Sequence, residues 1–417
     1  MAEPQRPRPD LRKLLESVEA AAPTEAIEVV THELAAIVKA REVSFLIADF
    51  SGNAVVRFGK AEAGSDTAGA DGGRDLETLP LAGTVYEQVL RTQQADVHDV
   101  DVDGGGTRLT VPVTDRGDAI GVLELILAHH PDEETVADVA AAAHALAYVV
   151  VANRRHTDLF EWGQRTAPFS LAAEIQRRLL PASFTCEAGQ FTVAGWLEPA
   201  NSVGGDTFDY NLDQDALHIS ITDAAGHDVA AALLATLLVG SLRNGRRRGL
   251  DLAEQAAYAN DSVVGNSARG QFVTGQLMRI DLNSGSATIV NAGHPLPLRL
   301  RDGRVEEIEL DIDFPFGIQP GTRYRVQRFP IAPGDRVIFV TDGMFEREAA
   351  ELDIEATLGL TGELHPREAV HSLGAAVMRT VKGNLRDDAT ILCLDWYGGP
   401  PRRRRSTGGA SQYHASS

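Results

Sequence analysis

Residues 202–210 read SVGGDTFDY, which places two glycines directly before Asp206 and a second carboxylate, Asp209, three residues later. Glycine is used where the backbone takes a conformation closed to other residues, or where another group approaches it closely. A tight turn alone would account for the pair. The stretch therefore indicates a functional site only if other carboxylates occupy comparable positions in the chain.

Three further aspartates occupy such positions: Asp223 in HISITDAAGH, Asp342 in VIFVTDGMFE and Asp387 in LRDDATILCL. Asp223 and Asp342 each follow an apolar, alternating run that is typical of a strand, and Ala or Gly comes next. A strand end holds a side chain on a rigid scaffold, which suits a site that needs fixed geometry. We therefore expect the four aspartates to end strands and to meet at one rim.

Carboxylates that converge cannot all stay ionised unaided, because like charges raise each other's pKa. A divalent cation removes this conflict. Oxygen ligands without nearby Cys or His pairs select Mg²⁺ or Mn²⁺ rather than zinc. Two such ions, roughly 3.5 to 4 Å apart, would hold a bridging water and neutralise the oxygens of a phosphoryl group. The pattern thus predicts a two-metal centre.

Composition limits the range of functions. A chain of 417 residues corresponds to two or three domains. The hydrophobic fraction of 43% is ample for packed cores. The formal net charge of −20 argues against nucleic-acid binding, which selects a basic surface, and favours divalent cations as partners.

The cellular setting follows from the cysteines and from the apolar runs. Cys186 and Cys393 have neither the spacing of a zinc site nor that of a disulfide framework, which favours a reducing cytoplasm. The first residues, MAEPQRPRPD, lack the apolar core of a signal peptide. The longest apolar run, residues 136–152, is short for a membrane span and contains Asp138 and His144. We expect a cytoplasmic protein without a membrane segment.

Residues 23–155 show the order helix, hairpin, loop, hairpin and closing helix. A helical stripe starts near Thr24, VSFLIADF and AVVRFG flank SGN, and TRLTVPV and AIGVLELIL flank TDRGD. This order, chiefly LTVPVTDRGDAIGVLELIL with the long helix after it, resembles a GAF domain. The resemblance implies a sensor module that binds a small ligand or dimerises, and a ligand-free dimer module is equally compatible with these residues.

Three segments flank or join the domains. Residues 1–22 are rich in Pro and Arg and are expected to form a disordered arm. Residues 156–183 predict a connecting helix that Pro168 breaks into two pieces. It is either a regulatory helix at a dimer interface or a core helix of the next domain. Residues 398–417 contain four consecutive arginines and predict a disordered basic tail, solvated rather than bound to an acidic partner or membrane.

Residues 184–397 alternate short strands with a few grouped helices, which favours α+β layers over a doubly wound parallel sheet. Over about residues 175–396 the chain resembles the type 2C metal-dependent Ser/Thr protein phosphatases, in their SpoIIE/RsbU-like bacterial branch. The motifs that carry the resemblance are EIQRRLLP, VGGDTFDY, ITDAAGHDVAAALLAT, FVTGQLMRIDLNSGSATIVNAGHPLPLRLRDG, FPFG, PGDRVIFVTDGMFE and DDATILCL. A GAF module ahead of such a domain is a common arrangement in that branch.

The resemblance implies an αββα sandwich with metals at one edge of its two antiparallel sheets. By position, Asp223 would be the metal-bridging carboxylate, with the backbone carbonyl of Ala224 beside it. Asp342 and Asp387 would hold the second metal, and Asp206 would bind a metal directly or through water. Because all four aspartates are present, an active enzyme is expected.

The chain departs from the family pattern at two places. Asp228 stands where the family has Gly, which adds a negative charge at the entry to a helix. Thr207 and Phe208 replace the aromatic pair that commonly follows GGD. Four neighbouring residues receive structural interpretations, as loop-orienting carboxylates or helix-start and packing histidines: Asp209, Asp388, His227 and His294.

The residues and the resemblance together predict a phosphoserine and phosphothreonine protein phosphatase that uses two Mn²⁺ or Mg²⁺ ions. The resemblance suggests a phosphorylated anti-sigma-factor antagonist as substrate, regulation by the GAF-like module, and a homodimer formed through the two long helices. The alternative is a non-catalytic scaffold that binds a phosphoprotein. A GGDEF-type nucleotide cyclase is disfavoured because Thr207 follows the glycines and Asp206.

Overall fold

The computed structural model describes a set of ranges: 10–62, 76–100, 105–166, 169–198, 204–226, 228–268, 270–345, 353–381, 385, 387–400, 404–411 and 413–414. The chain divides into two compact units. The first unit contains Met1–Pro168 and Arg405–Ser417, and the second contains Phe169–Arg404. Both units mix helices and sheets, as the predicted α+β class requires.

The first unit is built on a six-stranded antiparallel sheet of order β3-β2-β1-β6-β5-β4. Its elements before residue 168 are α1 (Leu11–Ala20), α2 (Ala26–Val38), β1 (Glu42–Ala48), β2 (Ala54–Glu62), β3 (Thr78–Pro80), α3 (Val85–Thr92), β4 (Asp96–Val100), β5 (Gly106–Asp115), β6 (Asp118–Leu127), α4 (Glu133–Asn153) and α5 (Leu159–Gly163). Helices α2 and α4 share one core cluster with the sheet, and α3 contributes to a second cluster.

Both predicted hairpins and both predicted helices of this unit are present. β1 pairs with β2, and β5 pairs with β6 through Arg116 and Gly117, whose φ angles of 47° and 82° suit a two-residue hairpin turn. α4 starts where the Asp132 side chain accepts a hydrogen bond from the Thr135 amide. By length and composition α4 could span a membrane, yet its buried residues form part of the core of this unit, and core helices pass the same test.

The second unit contains two antiparallel sheets, of order β15-β12-β11-β10-β9 and β14-β13-β16-β17-β8-β7. Its elements are α6 (Leu171–Leu179), β7 (Thr185–Glu187), β8 (Phe191–Glu198), β9 (Asp206–Leu212), β10 (Ala216–Ala224), α7 (Asp228–Arg247), α8 (Leu252–Asn266), β11 (Val273–Asp281), β12 (Ala287–Ala292), β13 (Leu298–Arg301), β14 (Arg304–Glu307), β15 (Gln327–Phe329), β16 (Asp335–Val340), a 3-10 turn (Asp342–Phe345), α9 (Ile354–Gly359), α10 (Pro366–Thr380) and β17 (Ala389–Trp396).

Four layers result from the alternation of side chains along the strands. Phe339 of β16 packs between the sheets with Phe208 of β9, whereas its neighbour Ile338 packs outward with α9 and α10. On the far side, Leu238 of α7 and Val263 of α8 cover the five-stranded sheet. This is the αββα sandwich that the resemblance implies.

Residues 10–20 and 404–411 differ from the expected disorder, whereas residues 1–9 and 415–417 lie outside the described residues. α1 is capped by the Asp10 side chain and buries Leu14 and Val18. At the other end, β18 (Ser406–Thr407) pairs with β19 (Ala410–Ser411), and the Gly409 carbonyl accepts a hydrogen bond from the amide of Gly117 in the first unit. Local composition does not show the contact between Gly409 and Gly117, because these residues lie far apart in sequence.

Arg404 also departs from the predicted solvated tail. Its Nε lies 3.1 Å from Oε2 of Glu187, and Nε2 of His365 lies 3.1 Å from the other oxygen of that carboxylate. Burial raises the pKa of Glu187, but the two partners outweigh it and hold that pKa at about 2. Arg404 therefore neutralises a buried charge in the second unit.

The predicted connecting helix is divided between the two units. α5 belongs to the first unit and α6 to the second, while Pro168 lies outside the described residues. α6 contacts both α7 and β9. α6, the C-terminal piece of residues 156–183, therefore matches the alternative interpretation of that segment as a core helix of the following domain.

Candidate metal centre

The four predicted aspartates lie at one edge of the second unit. Asp206 is the first residue of β9 and stands directly opposite Asp223 near the end of β10. On the other sheet, Asp342 follows β16 and Asp387 precedes β17, and these two strands are antiparallel neighbours. The expectation that all four end strands is wrong for Asp206 and Asp387. In an antiparallel pair, the start of one strand and the end of its neighbour share an edge.

Asp206 joins the two sheets at this edge. Its Oδ2 accepts hydrogen bonds from the hydroxyl of Thr341 at 2.7 Å and from the hydroxyl of Thr390 at 2.6 Å, and both threonines belong to the six-stranded side. The Asp206 residue is only 2% exposed. Two hydroxyl donors therefore fix a buried carboxylate in one orientation.

The Asp388 carboxylate accepts hydrogen bonds from two other segments at the same edge. Its Oδ2 accepts from Nε2 of Gln176 at 2.6 Å and from the amide of Gly205 at 3.1 Å. Gln176 also donates to the backbone carbonyl of Asp206, at 2.8 Å. These contacts agree with the loop-orienting interpretation of Asp388 and show that α6 supports the site.

The other neighbouring residues have structural partners. Asp209 pairs with Arg243 and Arg246 of α7, which agrees with its orienting interpretation. The ring of His294 is buried, which lowers its pKa to about 3, and Nδ1 lies 2.9 Å from the Thr274 hydroxyl. His227 lies outside the described residues.

The backbone conformation of Asp228 explains why glycine is favoured at this position. Its φ of 63° lies in the left-handed region, which a residue with a Cβ adopts at a cost of about 1 kcal/mol. Aspartate is among the residues that tolerate this region best. The departure from the family pattern is therefore accommodated by the backbone at the start of α7.

The carboxylates perturb one another strongly. Burial, then the charges of Asp342, Asp387 and Asp388, raise the pKa of Asp223 to about 7. Burial and the charges of Asp223 and Asp388 raise the pKa of Asp206 well above its usual range, although its hydroxyl partners oppose this. In the cation-free protein these shifts favour protonation of Asp206 and Asp223, because ionising both would place like charges close together in a buried site.

The residues fit a hard divalent cation by their chemistry, because the donors are carboxylate and carbonyl oxygens. Among the described residues, no three His, Cys, Asp or Glu side chains already stand in the geometry of a metal cluster. The chemistry of the donors, and not a preformed cluster of oxygens, is therefore what fits these residues to a divalent cation.

The glycines of the opening stretch are explained by close packing. A Cβ on Gly205 would lie 2.6 Å from the carbonyl oxygen of Ala224, and one on Gly204 would lie 2.9 Å from the backbone of Ala172 in α6. Gly343 shows the same constraint, since its Cβ would lie 2.0 Å from the carbonyl oxygen of Asp388. A turn alone does not account for them.

Four supporting residues were missed by the sequence analysis as site residues: Gln176, Thr341, Thr390 and Gly343. Thr341 directly precedes Asp342, and Thr390 lies three residues after Asp387. A hydroxyl side chain close in sequence to a predicted metal ligand, at a buried strand, is therefore a sequence signal that could have identified Thr341 and Thr390. The role of Gln176 depends on a contact across 212 residues, which no local pattern shows.

We predict that Gly205→Ala weakens Mn²⁺ binding at least tenfold, because the new methyl group displaces the Ala224 carbonyl. Calorimetric titration of the folded variant measures this. Gly240→Ala is the matched control, since its Cβ would meet nothing within 4 Å and Ala favours a helix by about 1 kcal/mol. Equal Mn²⁺ affinity in the two variants would contradict the assignment.

We predict that Asp223→Asn stabilises the cation-free protein above neutral pH. The pKa of Asp223 is raised in the folded state, so its stabilising contribution is lost as pH rises through about 7. Thermal unfolding in EDTA should show a larger gain for the variant at pH 8 than at pH 5, and Mn²⁺ should stabilise only the wild type. An equal gain at both pH values would point to packing instead of charge.

Comparison with known proteins adds two domain matches. Residues 213–397 match the family model of stage II sporulation protein E (SpoIIE), and residues 22–150 match the GAF domain. Protein IcfG of Synechocystis is 25% identical over 199 residues, 41% of this chain and 31% of IcfG. The chain thus spans about a third of that relative.

A second relative and a solved structure are similar at lower identity. Phosphoserine phosphatase RsbU of Bacillus subtilis is 22% identical over 235 residues, which cover 54% of this chain and 68% of RsbU. A structure of the phosphatase domain of SpoIIE from Bacillus subtilis, with a fragment of its regulatory domain, shares 14% identity at a TM-score of 0.44. It covers 75% of this chain and 86% of that one.

Proposed function

We propose that the chain is a metal-dependent phosphoprotein phosphatase for phosphoserine and phosphothreonine. The GAF match over residues 22–150 and the SpoIIE match over residues 213–397 support this proposal. The observation that carries the proposal is the convergence of Asp206, Asp223, Asp342 and Asp387 from two sheets at one edge. A carboxylate edge without a cation repels a phosphoryl group, whereas the same edge loaded with cations attracts it.

Each of the four aspartates has a proposed role in holding the metal ions. Asp223, with the Ala224 carbonyl beside it, would bridge two ions, Asp342 and Asp387 would hold the second ion, and Asp206 would act directly or through water. When bound, Mg²⁺ or Mn²⁺ ions supply an activated water for in-line attack on phosphorus and neutralise the phosphoryl oxygens.

We also propose that the GAF domain controls activity through α6. The chain leaves the first unit at residue 168, and α6 begins three residues later. A shift of α6 would withdraw Gln176 from Asp388 and would loosen Ala172 from Gly204. Both changes act on the backbone that carries Asp206.

The remaining parts of the proposal concern partners and location. A phosphorylated anti-sigma-factor antagonist is the proposed substrate, on the resemblance to the RsbU-like branch, and the proposed location is the cytoplasm. We propose a homodimer through α4, where Tyr148 and Val151 are 50% and 40% exposed. A monomeric mass in light scattering at micromolar concentration would contradict the dimer.

The decisive experiment is hydrolysis of p-nitrophenyl phosphate by the full chain with Mn²⁺, with Mg²⁺ and with EDTA. Wild type should turn over only with a cation, and Asp223→Asn should lose activity by at least a thousandfold while it stays folded. Asp215→Asn, an exposed carboxylate in the turn between β9 and β10, is the matched control and should stay active. Cation binding without turnover in the wild type would favour the phosphoprotein-binding scaffold.

A further inference from the structure

The segment of residues 311–318, between β14 and β15, crosses the end of the five-stranded sheet and turns at Gly317, whose φ is 95°. We call it the rim segment. Phe316 exchanges two backbone hydrogen bonds with Val273, at 2.8 and 2.9 Å, and the Asp313 amide donates to the Asn291 carbonyl at 2.9 Å. Val273 stands opposite Ala224 on its other side. The rim segment therefore continues the sheet edge on which Asp206 and Asp223 lie.

Three large apolar side chains of the rim segment face solvent. Ile312 is 53% exposed, Phe314 is 60% exposed and Ile318 is 47% exposed. In contrast, Phe316 is fully buried and anchors the segment in the helix-side core. Exposed apolar side chains that include an aromatic one are typical of protein-binding surfaces, and Phe314 lies between Ile312 and Ile318 in the sequence.

The backbone of the rim segment is held rigidly from three directions. Arg325 donates from its amide and from Nε to the carboxylate of Asp313, at 2.7 Å each. The side chain of Asn260, which is fully buried, accepts from the Gly317 amide at 3.0 Å. Pro315 packs so closely on Gly293 that a Cβ there would lie 2.7 Å from its ring. Phe314 is thus presented at little entropic cost to binding.

The rim segment lies within reach of a substrate bound at the carboxylates. Neighbouring strands are about 4.8 Å apart, so Phe316 lies roughly 10 Å from Ala224 across β11. Phe314, two residues further, adds at most about 7 Å. An extended peptide advances about 3.3 Å per residue, so Phe314 would meet a side chain about three to five positions from the phosphorylated residue.

We infer that Ile312, Phe314 and Ile318 form a docking surface for an apolar side chain of the phosphoprotein substrate, three to five residues from its phosphorylated serine or threonine. This inference rests on the proposed phosphatase function and specifies its substrate class. A second copy of the chain is a poorer occupant, because three side chains supply only a fraction of the roughly 800 Å² that a stable partner buries.

The test compares p-nitrophenyl phosphate with synthetic phosphoserine peptides, using the full chain and Mn²⁺. The peptides differ only in whether Leu or Ala stands three, four or five positions to either side of the phosphoserine. Wild type should favour one Leu peptide by about tenfold in kcat/KM, the value of one buried apolar side chain. Phe314→Ser should lose that preference and should hydrolyse p-nitrophenyl phosphate within twofold of the wild-type rate.

Leu212→Ser is the matched control. Leu212 is 46% exposed and is the last residue of β9. It lies six residues and about 20 Å from Asp206, at the other end of the same strand. This variant should keep the Leu preference. Since Phe314 and Leu212 are both exposed, both variants should fold, and circular dichroism verifies it.

The outcomes separate the inference from the function on which it rests. Wild type that shows no turnover of p-nitrophenyl phosphate overturns the proposed function and the docking surface with it. Wild type that turns over p-nitrophenyl phosphate but shows no Leu preference overturns the docking surface alone. If Phe314→Ser lowers the oligomeric mass but leaves the peptide selectivity unchanged, the docking surface is also overturned. Phe314 then belongs to a surface through which copies of the chain associate.

Discussion

The hydrogen bonds from Thr341 and Thr390 to the Asp206 carboxylate are the interaction on which the arrangement of the four aspartates depends. Asp206 belongs to one sheet and both hydroxyls belong to the other, so these bonds connect the two sheets where the carboxylates meet. A buried carboxylate beside others tends to take up a proton, and donated hydrogen bonds oppose this. The two hydroxyls therefore oppose protonation of Asp206, although burial and the neighbouring carboxylates still raise its pKa.

Asp388 and Gln176 extend this arrangement towards the helix that starts the second unit. Removing one partner from a buried, hydrogen-bonded charge is strongly unfavourable. Because Asp388 draws its partners from α6 and from Gly205, the position of α6 and the charge balance at the site are energetically coupled. Gln176 is thus a positioning residue, acting through Asp388, and a signal that moves α6 has a direct physical effect on the carboxylates.

Local patterns were enough to place the four aspartates beside predicted strands, whereas the αββα layer order was implied by the family resemblance and not by periodicity. Alternating runs such as DRVIFV and HISIT identify strands, and a carboxylate beside such a run lies near a sheet edge whether it precedes or follows the strand. Arg404 on Glu187, Gly409 at the β5–β6 turn and Gln176 on Asp388 join residues far apart in sequence. Their composition indicated disorder or a linker, since local composition carries no information about a distant partner.

The overall charge explains why an apolar contact would suit the proposed phosphatase. A chain with net charge −20 repels a phosphorylated substrate at long range, and that repulsion varies with ionic strength. Cations bound at the carboxylates would reverse the sign only locally. Burial of a substrate's apolar side chain against Phe314 would not depend on charge, and Phe314 itself would lie too far away to contact the reacting phosphate. Under the proposed function, recognition of the protein and chemistry on the phosphate would then depend on different physical forces at two places along the same end of the sheet.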